Sequence, residues 1–174
     1  MTFTRTRVVL VALLLTSAAC AMSSVLIASP VPQEDEVAIK QLVTNFENAF
    51  SSHDAHAVAQ LFTAEADYTT GGEAVTLHGQ KAIEDHLAPL FVGGLKTIHM
   101  KISVRDVEFV TPNVAIVNSD LDLSGMKRPD GTDAPAPVGF FDWVVTKQNG
   151  RWLIAGFHES LRPRAPQGPP PAAH

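Results

Sequence analysis

The stretch GFFDWVVTKQNGRWLIAGFHESL, residues 139–161, decides the fold of this chain. It contains two apolar segments joined at Asn149-Gly150, and Asn-Gly between alternating hydrophobic residues is the strongest local signal for a β-hairpin. One carboxylate, Asp142, lies inside the first segment. An ionised carboxylate in a packed interior needs a partner or a raised pKa, so Asp142 lies either at a surface face or in a pocket.

Two further strands are predicted upstream of this hairpin, over residues 97–110 and 114–124. The apolar residues of the first strand alternate and then change parity: Ile98, Met100, Ile102 and Val104 are followed by Val107 and Phe109. This change predicts a β-bulge near Arg105-Asp106, and therefore a strongly bent sheet. The polar, proline-rich loop between Gly125 and Val138 is a candidate mobile rim of the domain.

Three helices are predicted before these strands. Residues 33–52 carry apolar side chains at helical spacing: Val37, Leu42, Val43, Phe46, Ala49 and Phe50. Asp54 is expected to cap a second, short helix, and residues 79–91 return to helical spacing until Pro89, which should kink or end the helix. Helices followed by hairpin-linked strands predict an α+β domain with a curved antiparallel sheet.

The chain begins with the pattern of a bacterial signal peptide over residues 1–21. Arg5 and Arg7 precede an apolar run that is too short to span a bilayer, and small residues follow it. We therefore expect an exported protein in the periplasm, the cell envelope or the medium. Cleavage before Met22 would release a soluble domain, whereas acylation of Cys20 would anchor a lipoprotein, and the sequence leaves both open.

Composition narrows the classes of partner and chemistry. The chain has 174 residues, 45% of them hydrophobic, which suits one globular domain over residues 33–161, and the proline-rich residues 162–174 are predicted to be a disordered tail. The formal charge of −5 argues against nucleic acid as a partner. No nucleotide-binding or zinc motif is present, and His53 with His56 lacks a third ligand, so we expect neither a cofactor nor a metal.

The strings NFENAFSSHDAHAVAQLFTAEADYTT, LHGQKAIEDHLAPLF and NGRWLIAGFHES resemble the nuclear transport factor 2-like superfamily. The nearest branch is that of the SnoaL-like and SgcJ/EcaC proteins, and the resemblance covers residues 33–161. It implies a cone in which helices wrap a curved antiparallel sheet, a homodimer formed through the sheet, and an apolar pocket at the open end. Members include isomerases, cyclases, epoxide hydrolases and proteins that only bind or assemble, so the fold does not give the function.

A comparison with the steroid isomerases of this superfamily tests the mechanism. Their site uses a tyrosine on the first helix, a general-base aspartate after the second helix and an aspartic acid on the penultimate strand. By ungapped motif matching these positions correspond to Phe46, to a position near Thr70 and to Asp142. Because two of the three groups are missing, we do not expect that isomerase mechanism here.

The candidate site residues follow from strand and helix periods together with this resemblance. Asp142 and His86 are the candidate catalytic groups, because a pocket carboxyl and a neutral imidazole can exchange protons. A salt bridge at the sheet rim is the alternative for Asp142, and simple packing is the alternative for His86. The predicted ligand-binding residues are Phe46, Phe50, Tyr68, Phe140, Asp142 and Phe157.

Strand parity leaves two further points to the structure. Only one of Asp67 and Tyr68 can face the pocket. Counting from Asp142 through the Asn149-Gly150 turn places Phe157 and Glu159 inward and His158 outward, unless a bulge intervenes. Two functions remain in view: an exported protein that binds a small apolar or amphipathic molecule, with or without acid/base catalysis, and a noncatalytic dimeric assembly module of the cell envelope.

Overall fold

The computed structural model of the protein describes residues 33–71 and 75–164. Its elements are α1 (Gln33–Ser51), α2 (Ala55–Ala59), β1 (Phe62–Thr69), β2 (Thr76–His78), α3 (Gly79–Val92), β3 (His99–Thr111), β4 (Val114–Ser124), β5 (Val138–Gln148) and β6 (Arg151–Arg162). The predicted signal peptide, Cys20 and residues 165–174 lie outside the described residues.

The strands form one curved sheet of six, in the order β2-β1-β6-β5-β4-β3. The α+β class with helices on one face of the sheet is confirmed: α1 packs against β3 and β6, and α3 packs against β1. One pairing differs from the predicted antiparallel arrangement, because β1 runs parallel to β6. The two strands are far apart in sequence, and β1 joins the sheet beside the last strand of the chain.

The helices begin and end for local reasons. The buried side chains of α1 recur every three or four residues, from Ile39 to Phe50, and form one apolar face. The backbone N–H of Ala57 donates to the side chain of Asp54 at 2.9 Å, so the predicted cap is confirmed. Pro89 does not end α3, which continues to Val92. Proline removes a hydrogen bond to the carbonyl of Asp85, and that residue is exposed on the solvent side of the helix.

Two β-bulges set which side chains face the helices. In β3 the pairing with β4 passes from Val104↔Ser119 to Asp106↔Asn118, so the bulge predicted near Arg105 is confirmed. In β6 the pairing with β5 passes from Val145↔Ile154 to Val144↔Gly156, which leaves Ala155 as an extra residue.

The bulge at Ala155 changes the parity of β6. Trp152 and Ile154 are buried before it, and Phe157 is buried after it. Across the ladder Phe157 pairs with Trp143, while Asp142 pairs with His158. Because paired residues share a face, Phe157 and Trp143 point toward the helices, and Asp142 and His158 point the other way.

Aromatic rings form the centre of the core. The ring of Phe46 is fully buried, with centroids 5.0 Å from Trp143, 5.3 Å from Phe157 and 6.2 Å from Phe62. One polar contact lies inside this core: the indole Nε1 of Trp143 donates to the hydroxyl of Ser119 at 2.9 Å. The hydrogen bond satisfies two groups that water cannot reach.

Side chains of α1 cover the exposed edge of the sheet at β3. The carboxylate of Glu47 accepts a hydrogen bond from the backbone N–H of Ile102 at 2.7 Å, and from Lys101 at 2.9 Å. The hydroxyl of Ser51 accepts from the N–H of Met100 at 3.2 Å. A sheet edge normally presents unpaired N–H groups, so α1 replaces the missing neighbour strand here.

Candidate ligand-binding cavity

A partly enclosed cavity of about 170 Å³ lies between the helices and the concave face of the sheet. Most of its wall is apolar and comes from α1, α3, the α3–β3 link and the strands: Phe50, Leu87, Leu90, Leu95, Ile98, Met100, Leu123 and Leu161. Four polar side chains complete it: Tyr68, Thr70, His86 and Glu159. An apolar cavity with a few polar groups has the character of a small-molecule site.

Tyr68 on β1 is held rigidly by its neighbours. Its ring stacks on Phe157, with centroids 4.7 Å apart, and only 4% of the residue is exposed. Within residues 33–71 and 75–164 its hydroxyl makes no hydrogen bond, and no fully buried side-chain oxygen or nitrogen in these residues lacks a partner, so the hydroxyl opens into the cavity. Burial, and next the charge of Glu159, raise the pKa of Tyr68 well above its ordinary value of 10.0. The group is therefore a neutral hydroxyl available to a ligand.

Glu159 brings a carboxyl into the same cavity from β6. The backbone N–H of Gly71 donates to its Oε2 at 3.0 Å. Burial raises the pKa of Glu159 above its ordinary value of 4.5, although the Gly71 N–H and the charge of His158 act in the opposite direction. A Cβ at position 71 would lie 2.8 Å from Cγ of Glu159, so this close approach requires glycine.

His86 and Thr70 line the cavity from α3 and from the end of β1. His86 is half-buried, and neither ring nitrogen hydrogen-bonds to another side chain or carbonyl in the described part of the chain. Thr70 accepts a hydrogen bond from the backbone N–H of Val75 at 3.3 Å. The imidazole is therefore free to exchange a proton with a bound molecule, whereas Thr70 is partly used by the fold.

The structure brings three of the predicted site residues to this cavity: Phe50, Tyr68 and His86. Phe46 and Phe157 do not line it, because both rings are buried in the aromatic core behind it. The choice between Asp67 and Tyr68 is also resolved. Tyr68 faces inward, and Asp67 points outward, where it accepts a hydrogen bond from Nδ1 of His78 at 2.6 Å.

Phe140 and Asp142 differ most from the sequence prediction, because they lie on the opposite face of the sheet from the cavity. The larger side chains of β5, Phe141 and Trp143, occupy the buried face. Strand alternation then turns Phe140 and Asp142 outward. Phe140 is 38% exposed, and Asp142 lies between Asn118 and His158 in the neighbouring strands. The catalytic role of Asp142 stays a prediction, but this cavity does not include it.

Glu159 was recognised from the sequence as an inward residue but not as a site residue. Its inward position depends on the bulge at Ala155. Because of the extra residue, Glu159 faces the same side of the sheet as Trp152 and Ile154 although it is an odd number of positions from them. The same signal that locates the bulge in β3 is present here, since the buried apolar residues step by two to Ile154 and then by three to Phe157. That step would have placed Glu159 and Asp142 on opposite faces.

Other kinds of site find no support in the described ranges. No group of three His, Cys, Asp or Glu side chains within residues 33–71 and 75–164 is placed to hold a metal ion. His56 instead hydrogen-bonds Glu84 at 3.0 Å. No helix in these same residues is long and apolar enough to cross a membrane.

Comparisons with known proteins agree with this architecture. The model of the SnoaL-like domain family matches residues 32–158. A search of curated proteins finds none that matches the chain. Among solved structures, a protein of unknown function with a cystatin-like fold from Nostoc punctiforme PCC 73102 is 22% identical, with a TM-score of 0.66 over 75% of this chain and 78% of that one.

Two further solved structures are of proteins named for their likeness to enzymes. A ketosteroid isomerase-like protein from Erwinia carotovora atroseptica SCRI1043 is 18% identical, with a TM-score of 0.62 over 74% of this chain and 97% of that one. A scytalone dehydratase-like protein from Novosphingobium aromaticivorans DSM 12444 is 16% identical, with a TM-score of 0.62 over 76% and 85%. At these identities the likeness shows a shared fold.

Proposed function

Because this chain belongs to the SnoaL-like domain family, we propose that it is an exported protein that binds a small apolar or amphipathic molecule in the cavity between the helices and the sheet. The finer form of the proposal is a cofactor-independent acid/base enzyme of the isomerase, cyclase or hydrolase type. Export is supported by the pattern of Arg5, Arg7 and the short apolar run that follows them.

One observation carries the proposal: the hydroxyl of Tyr68 opens into an apolar cavity, without a hydrogen bond to the described residues, beside the carboxyl of Glu159 in the same wall. A polar group that opens into a mostly apolar cavity can fix the orientation of a bound molecule through a hydrogen bond. Tyr68 and Glu159 are therefore the groups that would fix the orientation of a ligand.

The catalytic form assigns roles to the titratable groups of the cavity. Glu159, whose pKa burial raises, can donate a proton to an oxygen or carbon of a bound molecule and take one back. His86, across the cavity on α3, is the second proton-transfer group. Two such groups facing one apolar space can move a proton between two positions of one substrate.

A native mass spectrum of the protein exported from a bacterial host tests the binding proposal. We expect an additional small-molecule mass on the folded protein. Glu159→Gln should carry less of that mass, because the change replaces one of the two polar groups that orient the ligand. Glu108→Gln, the same change at an exposed position of β3, should retain it. An unliganded spectrum together with no response to any added apolar compound would sink the proposal.

The outer face of the sheet favours a second function, assembly with another copy of this chain. Phe140 is 38% exposed and Val144 43%, and they lie four positions apart on β5, on the same side of the sheet. Apolar side chains grouped on an open sheet face are typical of interfaces. Sedimentation should therefore give a dimer, and Val144→Lys should dissociate it. Val37→Lys, at an equally apolar and more exposed position on α1, should not.

A further inference from the structure

We infer that the molecule bound in this cavity is a neutral compound with a single six-membered ring and one hydroxyl or carbonyl oxygen. The inference rests on the proposed binding function and names the class of ligand. It depends on three properties of the cavity: its volume, the position of its polar groups, and the charges of the side chains that line it.

The volume of the cavity limits the ligand to about one ring. The cavity encloses about 170 Å³. An apolar cavity of about 150 Å³ in another protein accepts benzene. The space here thus holds one ring with one or two substituent atoms, and the ring of Tyr68, which stacks on Phe157 behind it, closes the cavity on the β1–β6 side. On its walled sides, a second fused ring would need the lining side chains to move, which close packing opposes.

The polar groups of the cavity call for one oxygen on that ring. Tyr68 and Glu159 come from neighbouring strands, β1 and β6, so their polar atoms lie on one side of the cavity. The opposite wall, which includes Leu95, Ile98 and Met100, is apolar. A ring with a single hydroxyl or carbonyl oxygen can place that oxygen against Tyr68 and the rest of its surface against the apolar wall.

The side chains that line the cavity also disfavour a charged ligand. No lysine or arginine is among the described residues that line the cavity, and Glu159 already occupies it. An anionic ligand would lose its hydration with only the imidazole of His86 as a possible cationic partner, and it would lie close to the carboxyl of Glu159. The cavity therefore favours a phenol or a cyclic ketone over the corresponding carboxylate.

Titrations of the full chain with defined probes test the inference. The probes are phenol, cyclohexanone, toluene, benzoate and 2-naphthol, and binding is followed by NMR through the amide signal of Gly71, whose N–H donates to Glu159. We expect phenol and cyclohexanone to bind, toluene to bind about fivefold more weakly for want of a hydrogen bond, and benzoate and 2-naphthol to bind more weakly still.

Tyr68→Phe isolates the hydroxyl, since it keeps the ring that stacks on Phe157. It should weaken phenol binding about fivefold and leave toluene binding unchanged. Equal loss for both probes, or no loss for phenol, overturns the assigned oxygen contact. Binding of 2-naphthol with rejection of phenol overturns the size limit while the binding function stands. If no probe of any size perturbs the protein, the proposed function fails together with the inference.

Discussion

Asp35, in the first turn of α1, accepts a hydrogen bond at 2.9 Å from the indole Nε1 of Trp152 on β6, 117 positions along the chain. The same carboxylate oxygen accepts from Nζ of Lys147 on β5 at 2.6 Å. These contacts join the start of the first helix to the closing hairpin. The hydrogen bonds from Lys147 and then from Trp152 hold the pKa of Asp35 below its ordinary value of 3.8.

Asp35→Asn should destabilise the protein at neutral pH. A folded-state pKa below the unfolded one means that the carboxylate contributes stability above pH 3.8 and loses that contribution as the pH falls through the folded value. We therefore expect the Tm difference between wild type and variant to be largest near neutrality and to shrink below pH 3.8. Thermal unfolding monitored by circular dichroism at several pH values measures it. A Tm difference that does not change with pH would show that the charge of Asp35 does not contribute to stability.

Glu159→Gln should have the opposite effect on stability. Burial raises the pKa of Glu159 above 4.5, so the folded state binds the proton more tightly than the unfolded state. Stability from this group is fully present below pH 4.5 and is lost as the pH rises from there through the folded value. The variant should thus match wild type in acid and exceed it in Tm at neutral pH, because the amide still accepts the hydrogen bond from Gly71. A variant less stable than wild type at neutral pH would be evidence against a disfavoured buried charge.

Asp142→Asn distinguishes the sequence prediction from the geometry of the cavity. If Asp142 were a catalytic group of an enzyme, as one interpretation of the sequence has it, this change would abolish turnover. The outward position of Asp142 predicts instead that ligand binding in the cavity stays within about twofold of wild type. Titration with phenol gives the answer. A loss of tenfold or more would show that the outer face of β5 takes part in the site.

Ser119→Ala removes the hydroxyl that accepts the hydrogen bond of Trp143. The indole N–H then remains buried without a partner, and we expect a loss of about 1 to 3 kcal/mol in the free energy of unfolding. Urea denaturation measures the loss. Ser103→Ala, at an exposed position of β3, should change the free energy by less than about 0.5 kcal/mol. Similar values for both variants would rule out a specific role for the buried pair.

Glu47→Ala should expose the edge of β3 to other chains. The N–H of Ile102 loses its charged acceptor, and a hydrogen bond to a charged group contributes about 1.5 to 3 kcal/mol. We expect lower stability and faster aggregation, followed by light scattering during storage. Glu36→Ala on the same helix breaks only the exposed ion pair with Lys40 and should cost about 0.5 kcal/mol or less. Equal aggregation of the two variants would show that Glu47 does not protect the edge of the sheet.

Local signals predicted much of the fold. The spacing along α1, the Asn149-Gly150 hairpin and the parity change at Arg105 each depend on residues close in sequence, and the structure contains all three. The parallel pairing of β1 with β6 depends on contacts between distant parts of the chain, so no local pattern reports it.

The inner face of β5 could not be assigned from its own sequence. Both parities are apolar, with Phe141 and Trp143 on one and Phe140 and Val144 on the other. Packing against Phe46 and the bulge in the neighbouring strand decide between them. The candidate site followed this error for Asp142. Tyr68, which the sequence left open against Asp67, and His86 do line the cavity.

The extra residue at Ala155 also governs how this chain is compared with its relatives. A relative whose last strand lacks the bulge has one residue fewer between the positions of Ile154 and Phe157. If the two sequences are aligned without a gap at that point, the residues of this chain that face the cavity after the bulge are matched with residues of the relative that face solvent. Placing the gap at Ala155 makes Glu159 the position to compare across the family, and transfers of catalytic assignments along β6 depend on that single gap.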